Sequence, residues 1–274
     1  MPELPEVEVI ARGMDTALTG RRVTAVALAE DGVARGDAEG IRVELPGRRI
    51  ARVWRRAKLL FVDCAPNRHL VFHLKMSGKV LLGGALAGQE KYVRASFVLD
   101  DGAAFVFQDV RKFGYVRWFD SAALLTWPFF AGLGPEPFAL DAAAFAQRLF
   151  GRRARIKSLL LDQTVIAGIG NIYADEALFC AGIHPATPAD RLAPENVARL
   201  LQALHRVLRQ GIAAGGSSLR DYVDALGRRG TQQHQFHVYG RFAQQCPCCS
   251  AMLHRTTVAG RTSTFCPQCQ PLLG

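Results

Sequence analysis

The chain has 274 residues, enough for two domains or one large one, and 49% of them are hydrophobic, ample for a buried core. Its 34 Lys and Arg against 24 Asp and Glu leave a net charge of +10, which favours a polyanionic partner, most simply nucleic acid. No apolar run reaches the ~18 residues of a membrane span, and Glu3, Glu6 and Glu8 at the start, with no basic segment, argue against a secretory signal.

Met1-Pro2-Glu3-Leu4-Pro5-Glu6-Val7-Glu8 opens the chain. An initiator methionine is usually trimmed before a residue as small as proline. Trimming would leave Pro2 as a free secondary amine beside the Glu3 carboxylate, the minimum kit for Schiff-base chemistry. Proline and acidic residues are also common at an ordinary helix start. Val7, Ile10, Ala11, Met14 and Leu18 recur at helical spacing and predict an amphipathic helix over roughly residues 4–19, ended by Gly20.

From Arg22 to Phe119 short alternating segments follow, among them 69–74, 92–99, 103–108 and 114–119, with Asp100-Asp101-Gly102 as a hairpin turn. Strands without interleaved helices predict an antiparallel sandwich or barrel. Gly132 to Pro137 has the composition of a hinge. Beyond it, helices are predicted near 141–150, 153–162, 171–181 and 194–211, with Asn171 as an N-cap after Gly168-Ile169-Gly170. That glycine pair is not a dinucleotide fingerprint, since no strand precedes it. Residues 215–222 read as a flexible loop.

Five of the seven cysteines crowd into the last thirty or so residues. Cys246-x-x-Cys249 and Cys266-x-x-Cys269 are two pairs whose two-residue gaps let both thiolates reach one ion, a donor set suited to a single structural zinc. Cys248 offers a competing ligand, though the repeated gap favours Cys249. Arg255 and Arg261 lie between the pairs with no acidic residue, so the hairpin suits phosphate contact.

The opening octapeptide, Gly168-Ile169-Gly170-Asn171-Ile172-Tyr173 and the four-cysteine hairpin, in this order, resemble the bacterial formamidopyrimidine-DNA glycosylase family from end to end. The resemblance implies an α+β multidomain fold. An antiparallel β-sandwich with an N-terminal helix (1–131) leads through a hinge (132–140) to a helical helix-two-turns-helix domain (141–235) and a four-cysteine zinc finger (236–274). It implies a monomer acting in the cytoplasm on damaged double-stranded DNA, with no membrane, removing oxidised purines through a Schiff base at Pro2 followed by β- and δ-elimination. Glu3 would be the proton-transfer partner at the sugar, Lys58, in a strand over 57–61, would serve β-elimination, and Arg261 would serve δ-elimination. Met76, Arg111 and Phe113 would fill the void left by a flipped nucleotide, with Arg111 reading the opposite cytosine. His73, Tyr92, Arg152, Lys157 and Asn171 would contact DNA. Glu6, Ser217, Ser218, Leu219, Arg220 and Tyr222 would line the base pocket or its lid.

The chain departs from the family pattern at Val110, Lys112, Tyr92, Lys75 and Val9, which touch DNA-contact details rather than the reaction. Two other readings stand beside it: an endonuclease VIII-like enzyme for oxidised pyrimidines, and a non-catalytic zinc-hairpin DNA-binding protein.

Overall fold

The computed structural model describes residues 1–83 and 90–273. The chain forms two compact units, Met1–Ala131 with Gly211–Gln233, and Gly132–Gln210 with His234–Gly274.

The first unit opens with α1 (Leu4–Leu18), whose Val7, Ile10, Ala11, Met14 and Leu18 are all buried, as the spacing predicts. Gly20 follows at φ 90°, the left-handed backbone that turns the chain into β1 (Val23–Leu28). After α2 (Ala38–Glu44) come β2 (Arg49–Arg56), β3 (Leu59–Ala65), β4 (Arg68–His73), β5 (Gly78–Leu82), β6 (Val93–Leu99), β7 (Ala104–Asp109) and β8 (Tyr115–Asp120). They pair antiparallel in two sheets, β1-β6-β7-β5 and β2-β3-β4-β8, so the sandwich expectation holds. The inner faces meet through Phe72 of one sheet and Phe97 and Phe107 of the other, with ring centroids 5.9 and 5.7 Å apart. Burying such rings stabilises by roughly 1.5–3 kcal/mol each. The turn between β6 and β7 runs through Asp100-Asp101-Gly102, with Gly102 at φ 82°. Two short helices, α3 (Ser121–Thr126) and α4 (Pro128–Ala131), end this stretch.

The second unit holds α5 (Ala142–Leu149), α6 (Ile156–Leu161), α7 (Asn171–Ala181) and α8 (Pro194–Ala213, whose last turn belongs to the first unit), then the hairpin β9 (His254–Val258) and β10 (Arg261–Phe265). Asp141 caps α5, its carboxylate accepting from Ala144 N–H at 2.8 Å. The helix predicted from residue 153 starts only at Ile156, because Arg155 forms an isolated antiparallel bridge with Pro188. Asn171 is not the N-cap of α7. Gly170 is, and Asn171 is the first helical residue. Two turns join α6 to α7, organised by Gln163, whose amide accepts from Gly168 N–H and donates to the carbonyls of Leu161 and Ile169. Gly182, at φ 66°, ends α7.

Candidate active site and metal centre

In the first unit the site grows from the start of α1. A helix leaves its first backbone N–H groups unsatisfied, and carboxylates are the natural acceptors. Glu3 is the N-cap residue and forms a reciprocal capping box with Glu6. Both carboxylates are buried, at 3% and 2% exposure. Glu6 Oε2 accepts from Glu3 N–H at 2.9 Å and Oε1 from Ser217 N–H at 2.9 Å, so one acidic side chain ties the start of the chain to a loop more than two hundred residues away. Pro2 is buried immediately before them, and Met1 is half exposed.

The loop over 214–231 contains no helix or strand, yet it is extensively bonded. Ser218 N–H donates to Gln233 Oε1, Ser218 Oγ donates to Tyr222 O, and Gly230 N–H donates to Ser218 Oγ. The Tyr222 hydroxyl reaches Glu6 O at 3.4 Å, and burial, with Glu6 and Asp224 nearby, pushes it well above the usual phenol range, so it stays a neutral donor. Ser217 Oγ is buried with no hydrogen-bond partner among the described residues. Leu219 and Arg220 are exposed.

Lys58 is not in a strand. It is the second residue of the two-residue turn between β2 and β3, after Ala57 at φ 55°, and is buried at 8% exposure. His73 closes β4. Its Nδ1 accepts from Lys75 N–H at 3.1 Å, which puts its own hydrogen on Nε2. Burial, then the charges of Lys75, Lys58 and Arg35, lower its pKa to about 3, so the ring is neutral near pH 7.

Two loops of this unit are locked together by a residue the motif reading did not single out. Asp109 is 1% exposed. Its carboxylate accepts from Ser77 Oγ, from Arg111 N–H at 3.1 Å and from Gly114 N–H at 2.7 Å. That turn leaves Phe113 exposed at 55% and Met76 at 46%, and sets Arg111 Nη1 3.6 Å from Met76 Sδ. Gly114 is required there, since a Cβ would lie 2.7 Å from Phe107 Cζ. An aspartate two residues before a backbone N–H it can accept from is a local turn signal, here at Arg111, but it does not reveal the bond from Ser77. Tyr92 is partly exposed, with the Lys91 ammonium 4.8 Å from its ring centroid.

In the second unit, Ala259 and Gly260 both take left-handed backbone, at φ 50° and 68°, and turn β9 into β10. The exposed Arg261 follows directly. The next residues are gripped from below. Lys157 Nζ and Asn171 Nδ2 both donate to Thr262 O, at 3.0 and 3.1 Å. Lys157, expected on DNA, is completely buried, and its ammonium also donates to Ser263 Oγ at 3.0 Å and Asp175 at 2.7 Å. Asn171 Oδ1 is buried with no partner among the described residues, and Arg152 is exposed.

Cys246, Cys249, Cys266 and Cys269 bring their sulfurs within 4.8 Å of one another. Cys246 and Cys269 are 3.8 Å apart and Cys249 and Cys266 3.4 Å. A tetrahedron with metal–sulfur bonds of ~2.3 Å has edges of about 3.8 Å, so the set fits one metal ion. The Cys248 backbone N–H points at Cys246 sulfur at 3.4 Å, which favours the Cys246 thiolate, and the Cys269 N–H points at Cys266 sulfur at 3.4 Å. Cys248 itself is exposed and outside the cluster.

Residues 1–116 match the family model for the formamidopyrimidine-DNA glycosylase N-terminal domain, and residues 133–223 that for the formamidopyrimidine-DNA glycosylase H2TH domain. A formamidopyrimidine-DNA glycosylase of Chloroflexus aurantiacus is 44% identical over 98% of both chains, and one of Moorella thermoacetica is 45% identical over 93% of this chain and 94% of its own. A crystal structure of a Lactococcus lactis Fpg variant with Fapy-dG-containing DNA superposes with a TM-score of 0.91 at 33% identity, covering 98% of this chain and 100% of that one. MutM with DNA containing carbocyclic 8-oxo-G gives 0.90 at 33% identity, with the same coverage. The chain belongs to the formamidopyrimidine-DNA glycosylase family.

Proposed function

We infer that this protein is a DNA glycosylase and AP lyase that removes oxidised purines from duplex DNA and then cuts the strand. The observation that carries the reading is the start of α1, where Pro2 and Glu3 are packed beside a Glu6 that also holds the Ser217 loop.

With Met1 removed, Pro2 becomes a secondary amine. It attacks the sugar carbon that bears the damaged base, Glu3 moves the proton at the sugar, and the base departs. The resulting iminium is a charged electron sink that drives β-elimination with Lys58 and δ-elimination with Arg261. An α-amino group has an ordinary pKa near ~8, and burial of Pro2 favours its neutral, nucleophilic form. A flipped base would meet Glu6, the spare Ser217 hydroxyl, Ser218 and Tyr222, with Leu219 and Arg220 at the rim. Met76, Arg111 and Phe113 would take its place in the stack. His73 would offer Nε2–H to phosphate, and Tyr92, Arg152 and Asn171 would contact the backbone. Lys157 would act through the hairpin that carries Arg261 rather than on phosphate itself.

The four cysteines would hold one zinc ion. A closed four-sulfur site leaves no position for substrate, so the metal would fix the hairpin and take no part in the chemistry. The net charge of +10 suits a DNA partner. No described helix is long and apolar enough to cross a membrane. A monomer working in the cytoplasm completes the reading.

Borohydride trapping on abasic duplex DNA tests it. The trimmed protein should give a covalent adduct, Pro2→Gly should lose nearly all of it, and full trapping by a chain retaining Met1 would sink the assignment. On paired substrates, oxidised guanine should be cut in preference to thymine glycol. Cutting of the pyrimidine alone would favour the endonuclease VIII-like alternative, and no trapping at all the non-catalytic one.

A further inference from the structure

The sheet β2-β3-β4-β8 carries a polar line that the glycosylase reading leaves unused. Asp63 on β3 and His69 on β4 are directly opposed across the antiparallel pair, so both side chains stand on one face. His69 Nδ1 lies 2.7 Å from Asp63 Oδ1, and its Nε2 lies 3.0 Å from Ser121 Oγ. Ser121 opens α3, directly after β8. The second oxygen of Asp63 accepts from Arg52 Nε at 2.7 Å and Trp54 Nε1 at 2.8 Å. Burial raises the Asp63 carboxyl, but hydrogen bonds from His69, Trp54 and Arg52 outweigh it and hold the group below the usual carboxylate range.

An ionised carboxylate can only accept, so its partner is the Nδ1–H of His69. In the neutral imidazole the Nε2 lone pair then faces Ser121, whose hydroxyl donates to it. Carboxylate, imidazole and hydroxyl thus stand in the order and tautomer that make a serine nucleophilic, a constellation recognised by geometry rather than by fold. Ser121 is half-buried, within reach of solvent. Phe119, opposite His69 on β8, stacks on Trp127 with centroids 5.0 Å apart and sets an aromatic surface on the same face.

We propose that Asp63, His69 and Ser121 form a second, hydrolytic site, with Ser121 as nucleophile toward small activated aryl esters. Ser121 Oγ bonds to the acyl carbon while His69 Nε2 takes the hydroxyl proton. The bond to the aryl oxygen breaks, and the aryloxide leaves with its electron pair and that proton. Water then attacks the acyl-serine, and His69 takes a proton from the water and returns it to Ser121 Oγ as the carboxylic acid departs. Ester and water become acid and phenol.

A structural staple between sheet and helix would have the same contacts without the reactivity. The full chain is therefore treated with an aryl fluorophosphonate, which bonds phosphorus to an activated serine with loss of fluoride, and the adduct is located by peptide mass; turnover of p-nitrophenyl acetate is followed in parallel. Labelling should fall on Ser121, vanish in Ser121→Ala, and slow roughly 100-fold in His69→Gln, the low end for loss of a general base. Both variants should keep strand cleavage on abasic duplex, which reports an intact fold. Should either lose it, Asp63→Asn, which presents the wrong hydrogen-bond partner to Nδ1 at nearly unchanged size, must slow labelling comparably. Labelling of Ser121 no faster than of other serines, or equally fast without His69 or the Asp63 carboxylate, overturns the proposal.

Discussion

His73 titrates far from where a free imidazole does. Its pKa falls from 6.5 unfolded to about 3 folded, first through burial and then through Lys75, Lys58 and Arg35. A depressed folded pKa contributes stability that is complete above pH 6.5 and is lost as the pH falls towards 3. Between pH 6.5 and 5 this one group should cost about 2 kcal/mol of unfolding free energy. Urea titrations at the two pH values should show that loss in the native protein and much less of it in His73→Gln; equal losses would remove the neutral buried ring as the cause. Lys157 and Arg261 separate in another way. Arg261→Ala and Arg152→Ala should each reduce the salt dependence of DNA binding by roughly one phosphate contact. Lys157→Met should weaken binding without altering that slope, because its ammonium is spent on Thr262, Ser263 and Asp175. An altered slope would place the ammonium on DNA. Residue type at fixed spacing was readable for the four clustered cysteines. Burial of Lys157 was not, since a lysine between Ile156 and Ser158 looks the same in sequence whether its ammonium meets water or an aspartate eighteen residues on.

At the level of elements, β4, β6, β7, β8 and the helices α1, α5, α7 and α8 were legible to within a residue or two, because period two and period 3.6 are written locally, whereas α2 interrupts a stretch read as strands alone and β3 runs four residues past its expected end. Other exceptions have non-local causes. Strand pairing at Arg155 delays α6, and the two-residue turn at Ala57-Lys58 is set by β2 and β3 pairing from Arg56 to Leu59. Nor could spacing alone show that Asp109 would lock the Met76 and Phe113 loops together, since one of its three partners, Ser77, comes from another strand connection. The β9–β10 hairpin has only two strands, marginal in water without support. If the four cysteines hold a metal, its chelation should therefore melt β9 and β10 and abolish DNA binding while hydrogen exchange in β2–β8 stays unchanged. Simultaneous loss of protection in both would show that the hairpin is not separately stabilised by metal.

At the scale of the whole molecule, the first unit is not one continuous stretch of chain. Gly211–Gln233 returns to it after the helices of the second unit. Ala225 joins its core and accepts through its carbonyl from Leu82 N–H at 2.8 Å, and Ser217 holds Glu6. A fragment ending at Ala131 should thus be less stable than the same unit in the full protein and should fail to trap abasic DNA, whereas adding a 211–233 peptide in trans should restore some protection of Glu6 and its neighbours in hydrogen exchange. Full activity of the fragment alone would refute this. The Glu6–Ser217 bond has a further consequence for how such genes can diversify. A crossover that swaps the coding sequence for the first half between two relatives carries Glu6 but leaves behind the loop that donates to it. Recombinants can keep a working pocket only when both inherited pieces agree at that one buried carboxylate, so these two distant stretches are expected to change together.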